Sequence, residues 1–307
     1  MIDFIGHRRK AYLLSALLVI ASLVSLIIFG LNLGIDFTGG TVLHLNLGED
    51  FSLDEVQEVT APFEELEGAA IQVVQARDIT GELTDEGLVI KAPYIEEERR
   101  DQILGAFRER WPGLDPADLR IESVGAVIGG ELGRQALLSL AVAIILMVGY
   151  ITFRFEFKFA MATIVGLLHN IIIVVGVFSI LQMEINVPFV AAILTVFGYS
   201  VNDTIVIFDR IRENIKLKQK RQYAEAVNES INQSLMRSIN TSLTTLFVLV
   251  ALLFGFHYYI GSLDLIVFVV ALILGVIIGT YSSIFVASPL WLNLQDIKLK
   301  GTRRKAA

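Results

Sequence analysis

Apolar residues run for about a bilayer's width at six places along the 307-residue chain. The stretches are Ala11–Leu31, Ala136–Phe153, Phe159–Leu181, Pro188–Phe208, Ile239–Phe256 and Leu263–Pro289. A hydrocarbon core of about 30 Å takes roughly 20 residues at 1.5 Å rise, so each is long enough to cross a membrane as a helix. The first is preceded by His7-Arg8-Arg9-Lys10 and has the flanks of a signal peptide. It exceeds the roughly 7–15 residues of a signal core, and no A-x-A site follows, so it reads as a retained span.

Between spans one and two the pattern changes period. The segment 41-TVLHLNL-47 alternates as a half-buried strand does. Ser52 with Glu55 three residues on is a capping box that opens a helix, which Pro62 must break or kink. Residues 69-AAIQVVQA-76 and 87-GLVIKA-92 read as strands joined by a turn region from Gly81 to Gly87, and Pro93 stops the second. Ile103, Leu104, Phe107 and Trp111 mark a helix over Ile95–Trp111, ended by Pro112-Gly113. A last strand, 119-LRIESVGAVI-128, leads back to the membrane. The expected fold class is therefore an α-helical polytopic membrane protein of six spans carrying an α+β domain. Its order β-α-β-β-α-β is that of the ferredoxin-like split unit.

Charge gives this layout a direction. Lys and Arg collect at the N-terminus (Arg8, Arg9, Lys10), after span two (Arg154, Lys158), after span four (Arg210, Arg212, Lys216, Lys218, Lys220, Arg221) and in the tail (Lys298, Lys300, Arg303, Arg304, Lys305). With six spans all four segments share one face, which the positive-inside rule makes cytoplasmic. Gln182–Val187 and His257–Ser262, on the other face, contain no Lys or Arg. The expected divisions are 1–31 for the N-terminus and first span, and 32–133 for an extracytoplasmic (periplasmic) domain. Spans two to six occupy 134–290 with a cytoplasmic loop at 209–236, and 291–307 is a basic tail. The outer segment holds 22 acidic and 7 basic residues, so the overall net charge of −7 averages an acidic domain with a basic cytoplasmic face. A solvated surface explains that acidity without a specific basic partner.

Composition removes whole classes of function. At 54% hydrophobic and 19% charged, the chain is neither disordered nor a basic nucleic-acid binder. Without cysteine it has no disulfide, thiolate nucleophile or Cys-ligated metal. No nucleophile elbow, HExxH or P-loop is present, and the glycines at 125, 129, 130 and 133 do not form GxGxxG. The expectation is a protein that is not an enzyme and needs no cofactor.

Chemistry then rests on polar residues where lipid should be, each of which costs about 2.5–3.5 kcal/mol on insertion scales. Asp203 lies fifteen residues after Pro188, hence about 22 Å along span four, in its cytoplasmic half. Tyr199, Ser200 and Asn202 make its turn polar, and Thr204 follows it. Low dielectric favours a neutral carboxyl and a nearby cation the charged one; a group balanced between them suits a proton relay. The plainer alternative is a neutral Asp packing against a neighbouring helix. Arg237, at the start of span five, belongs to the same half of the membrane as Asp203, with Thr241, Thr244 and Thr245 on its stripe. It either pairs with Asp203 or snorkels to lipid phosphates. His169-Asn170 midway along span three is a weaker proton-handling candidate. The small residues of span six (Gly275, Gly279, Thr280, Ser282, Ser283, Ala287, Ser288) suit close helix packing. The loop Asp209–Met236 is expected to extend span four as a helix and then lie along the interface.

Four motifs in this order, 34-GIDFTGGT-41, 197-FGYSVNDTIVIFDRIREN-214, 232-NQSLMRSINTSLTTL-246 and 279-GTYSSIFVASPL-290, make the chain resemble the SecF family of bacterial protein secretion. The resemblance covers nearly the whole chain and implies the resistance-nodulation-division superfamily, in which two six-span halves pack about a pseudo-two-fold axis. It implies a SecD-like partner, the SecY/SecE/SecG translocon, further contacts with YajC and YidC, a translocating polypeptide as substrate, and a bacterial inner-membrane location with both termini cytoplasmic. The implied function is use of the proton-motive force to complete polypeptide translocation, with H⁺ as coupling ion and Na⁺ as the alternative. A half-transporter of the superfamily for small molecules or lipids is the rival. In the family the aspartate matching Asp203 carries the proton pathway and the arginine matching Arg237 assists it. Asn202, Thr204, Thr241 and Thr245 line the same route. Asp36, Gly39 and Gly40 match a family loop where the outer domain leaves the membrane; from physics alone the glycines are turn residues permitting positive φ. One departure is Asn170, where the family often has Asp: an amide cannot titrate.

Overall fold

The computed structural model describes residues 1–47, 51–77, 83–114, 119–218, 222–260 and 262–295. Their elements in chain order are α1 (Arg8–Ile28), the single turn α2 (Ile35–Thr38), β1 (Gly40–Asn46), α3 (Leu53–Thr60), β2 (Ala70–Arg77), β3 (Leu83–Ala92), α4 (Glu97–Arg110), β4 (Leu119–Val124), α5 (Ala126–Arg154), α6 (Phe157–Leu181), α7 (Val187–Leu217), α8 (Tyr223–Gly255) and α9 (Leu263–Ser282). A π-wound turn, Ser283–Ala287, follows α9, and the helix resumes to Gln295. Six helices are long and apolar enough to cross a membrane. The chain divides into two compact units, one of residues 33–137 with 254–266 and one of the remaining described residues.

The smaller unit is built on a four-stranded sheet in the order β2-β3-β1-β4, every neighbouring pair antiparallel. Leu43, Leu45, Leu88 and Ile90 alternate onto one face and bury themselves with Val56 of α3 and Ile103, Leu104 and Phe107 of α4; Trp111 closes the cluster against Phe107. The Ser52–Glu55 capping box forms as expected, α3 stops at Thr60 ahead of Pro62, and Pro93 follows the end of β3. Two expectations need correction. Part of the Gly81–Gly87 turn lies outside the described residues, while Leu83–Gly87 is strand, held by pairing with β2. The last strand ends at Val124 and not at residue 128. Its partner β1 begins at Gly40, opposite Val124, so beyond that point the backbone has no ladder and turns helical, Gly129 N–H donating to Gly125 C=O at 3.0 Å.

In the larger unit α1 lies along α6 on a seam of serines. A Cβ on Gly176 would come within 2.2 Å of Ser22, and Ser25 Oγ donates to Ser179 Oγ at 2.9 Å. Gly275 and Gly279 of α9 lie against Val196 and Ser200 of α7, close approach of the kind small residues allow between helices in lipid. The polar segment 209–236 proves to be less a loop than a helical hairpin: α7 runs nine residues past Phe208, and α8 starts sixteen residues before Ile239. Ile211, Ala226, Val227 and Ile231 are buried side chains of the two extensions, which Asn214 links by donating to Ser230 at 2.8 Å. A charged outer face and an apolar inner stripe make this an amphipathic pair, which average polarity conceals. The final helix likewise continues past Pro289, placing Trp291 and Leu292 in the core; the π-wound turn before it accommodates a residue with no N–H, and Ser288 Oγ donates to the Ser283 carbonyl at 2.8 Å.

Candidate functional site

Asn186 caps α7 by accepting from the Phe189 amide at 3.0 Å, with Pro188 in the first turn where a missing N–H costs nothing. From that fixed start the helix carries Asp203 to the bundle interior, where it is 8% exposed. Its Oδ1 accepts a hydrogen bond from Ser238 Oγ of α8 at 2.5 Å. Its Oδ2 is buried without a partner among the described residues. A carboxyl with one oxygen held and one free has room to gain and lose a proton without dismantling its anchor.

Two hydroxyl networks flank that group. On one side, Ser242 follows Ser238 by one turn, donates to its carbonyl at 2.8 Å, and is bonded to Thr280 of α9 (2.6 Å) and Tyr199 of α7 (3.1 Å). On the other, Thr204 is bonded to Ser283 in the π-wound turn at 2.8 Å and donates to the Ser200 carbonyl at 2.9 Å. Ser200 Oγ accepts from Asn170 Nδ2 at 2.9 Å, and Asn170 Oδ1 meets His169 Nδ1 at 3.1 Å. His169 Nε2 is buried and unpartnered, its ring stacked on Tyr281. The sequence-derived residues Asp203, Thr204, His169 and Asn170 are therefore gathered by α6, α7 and the turn after α9.

Arg237 is not in that cluster. It makes no ion pair with Asp203; Ser238, its neighbour, makes the contact with the carboxyl. With Asn202, Asp209, Arg210, Glu213, Gln233 and Ser234 it lines a groove of about 420 Å³ between α7 and α8. Thr241 and Thr244 are exposed on α8 and Thr245 is half-buried; none of the three bonds Asp203, and each hydroxyl is satisfied by a carbonyl of its own helix. Ser238, Ser242, Thr280 and Ser283 were not singled out as contacts of the site. The only signal is the spacing of Ser234, Ser238 and Ser242 at four-residue intervals on one helix face, a weak one for so common a residue.

Asp36, Gly39 and Gly40 belong to the smaller unit: Asp36 lies in α2, Gly39 follows that turn and Gly40 opens β1. Gly39 has φ +72° and Gly40 φ +151°, and a Cβ on Gly39 would lie 2.7 Å from the Ala126 Cα at the start of α5. Only glycine meets both demands, a conformation L side chains avoid and a backbone pressed against another backbone. Among the described residues no group of three His, Asp or Glu side chains gathers as a metal site.

Residues 109–297 match the model for the protein export membrane protein SecD/SecF C-terminal region, and residues 24–48 the SecD/SecF GG motif, which contains Gly39 and Gly40. The chain is 40% identical over 99% of its length to protein translocase subunit SecF of Magnetococcus marinus, covering 94% of that protein. It is 39% identical over 95% of its length to that of Pseudomonas aeruginosa, covering 92%. Among solved structures, SecDF of Thermus thermophilus, described as a translocon-associated membrane protein, superposes with a TM-score of 0.79 at 37% identity; the match covers 96% of this chain and 39% of that one. Matched over most of its length by the family's own model and end to end by SecF subunits, the chain belongs to the SecD/SecF family of protein export membrane proteins.

Proposed function

We propose that this protein is one half of a proton-driven device that completes polypeptide export across a bacterial cytoplasmic membrane, the other half being a SecD-type chain. The observation that carries the reading is the Asp203 carboxyl, buried between α7 and α8 with Oδ1 held by Ser238 and Oδ2 unpartnered. As a carboxylate it accepts from Ser238. Once protonated it is a weaker acceptor at Oδ1 and gains at Oδ2 an O–H donor with no partner in this arrangement, so the hydroxyl beside it either keeps hold of Oδ1 or turns to accept the new donor. That choice moves the Ser238–Ser242–Thr280 network and with it the packing of α8 against α7 and α9. One charge crossing 100 mV is worth about 2.3 kcal/mol, comparable to the roughly 1–3 kcal/mol of a typical conformational coupling.

The partner half is supported by the outer face of α8. Arg237, Asn240, Thr241 and Thr244 are exposed along one stripe of a helix otherwise fit for lipid. A guanidinium and an amide facing hydrocarbon are costly, so a second polar surface is needed to cover them. The Thermus relative carries in one chain more than twice the length matched here, which leaves room for that half. In this reading the coupling ion is H⁺, Arg237 answers a charge on the partner, and both termini face the cytoplasm. Contact with the SecY/SecE/SecG translocon belongs to the same reading, which the Thermus protein's description as translocon-associated supports. The outer unit is read as a ferredoxin-like split βαββαβ domain, in agreement with its strand order β2-β3-β1-β4, and moves with the bundle during each cycle.

The test is export in inverted membrane vesicles with and without an imposed proton-motive force. Asp203→Asn is expected to abolish the added rate that the force gives while leaving the amount of assembled protein unchanged. A full response to the force in that variant removes the relay.

A further inference from the structure

The residues before α1 are folded against the bundle. Asp3 Oδ1 accepts from the Gly6 amide at 2.8 Å and the Asp3 carbonyl meets His7 Nδ1 at 2.7 Å, closing a tight turn. Two asparagines four residues apart on α8 then grip its main chain. Asn232 accepts from the Ile2 amide and donates to the Ile2 carbonyl, both at 2.8 Å. Asn228 accepts from the Phe4 amide at 2.7 Å and donates to the Ile2 carbonyl at 3.0 Å. A side-chain amide matches a peptide group donor for acceptor, and the i,i+4 spacing puts both on one helix face. The apolar side chains complete the docking. Phe4, 5% exposed, sets its ring edge-on to Phe285 with centroids 5.5 Å apart, and Ile5 is 8% exposed.

The two elements so joined are the ones that hold the Asp203 turn. α8 presents Ser238 to Asp203 six residues beyond Asn232. The π-wound turn presents Ser283 to Thr204 two residues before Phe285. From Phe285 the rings continue inward to Tyr281 at 5.2 Å and His169 at 6.1 Å, and the Tyr281 hydroxyl donates to the Ala11 carbonyl of α1 at 3.0 Å. A shift of α8 relative to α9 therefore strains the docked segment, and release of the segment frees that shift.

We propose that residues 2–7 form a clasp holding α8 against the turn after α9 in the arrangement where Ser238 reaches Asp203, with Asn228, Asn232 and Phe4 as positioning residues for the carboxyl. The clasp loosens when the Ser238–Asp203 bond is given up. This rests on the relay reading of Asp203. Because the asparagines bond main chain, the side chain at position 2 is free to be replaced.

The chain has no cysteine, so introduced thiols report without background. In membranes holding the full chain with its partner half, Ile2→Cys and Asn232→Cys are combined and oxidised to a disulfide across the clasp. Proton-driven export is expected to fall at least tenfold and to return on reduction; the single Asn232→Cys variant under the same oxidation controls for the lost asparagine. Export at the control rate with the bond closed overturns the clasp. Independently, Ile5→Cys, which keeps Phe4, is labelled with a membrane-permeant maleimide. Its rate is expected to differ at least threefold between chains with Asp203 and chains carrying Asp203→Asn, and equal rates overturn the coupling. If Asp203→Asn stops driven export and the closed disulfide does not, the clasp falls alone. If Asp203→Asn leaves driven export intact, the relay falls and the clasp with it.

Discussion

A carboxyl inside a helix bundle needs a neighbour that suits both of its charge states. A hydroxyl does so, since it donates to the anion and accepts from the acid, whereas a guanidinium stabilises only the anion. That is the physical difference between the Ser238 contact the structure contains and the Arg237 pair that sequence made plausible. Ser238→Ala removes the donor while leaving the helix intact, so proton-driven export should drop about tenfold, with the amount of protein in the membrane unchanged; a buried hydrogen bond to a charged group is worth about 1.5–3 kcal/mol. Ser238→Thr keeps the hydroxyl and should restore most of the rate. An alanine variant as active as the parent would show that the bond has no part in the cycle. At the same scale, His44 in the outer unit gives a pH dependence. Burial holds its imidazole below the ordinary histidine value, with Glu122, 4.0 Å away, pulling the other way and Arg120 and Lys91 adding to the depression. The fold therefore keeps His44 neutral where the unfolded chain binds a proton. This contribution to stability is complete above about pH 6.5 and declines as the pH falls below it. Hydrogen-exchange protection at β1 and β4, taken relative to the intrinsic exchange rate at each pH, should be lower at pH 5.5 than at pH 7.5, and His44→Gln should flatten that difference. An unchanged difference in the variant assigns it to the carboxylates instead.

Among the elements, those with one strong periodicity were legible and those with two were not. The six apolar runs and the strands of the small sheet follow directly from pattern, because lipid and a one-sided core each impose a single repeat. The hairpin made by the ends of α7 and α8 did not, since its charged outer face outweighs the stripe of Ile211, Val227 and Ile231 that buries it. The start of α5 was placed ten residues late because Val127 and Ile128 fit a strand equally well; only the end of the β1 ladder at Gly40 settles the matter. Gly39 and Gly40 were legible as turn residues, but the contact of Gly39 with α5 was not, for it joins residues nearly ninety positions apart. That contact makes a prediction. Gly39→Ala places a Cβ at 2.7 Å from the Ala126 Cα and asks an L residue to hold φ +72°, so it should cost about 1–3 kcal/mol and lower the melting temperature of the purified chain by several degrees. An unaltered melting curve would mean that the loop moves aside without penalty.

For the molecule as a whole, the site was legible as a location and only partly as a geometry. Asp203 was found because ionisable residues are rare in apolar runs. The residues that touch it were hidden because serine and threonine are common and tolerated throughout a membrane helix. In the proposed reading the exposed stripe on α8 from Arg237 through Thr244 is half of a surface whose other half belongs to the SecD-type partner, so the sequence of this chain contains only one side of it. Affinity purification of the tagged chain should bring a SecD-type partner with it, and Arg237→Leu together with Thr241→Leu should reduce that yield severalfold; equal yield would place the partner on another face.

The most direct measurement follows the proton itself. Infrared difference spectra of the purified two-half complex in liposomes, recorded before and after a proton gradient is imposed, should contain the carbonyl band of a protonated carboxyl that vanishes in Asp203→Asn. The same band in both proteins, or its absence while driven export proceeds at the full rate, would contradict the role given to Asp203.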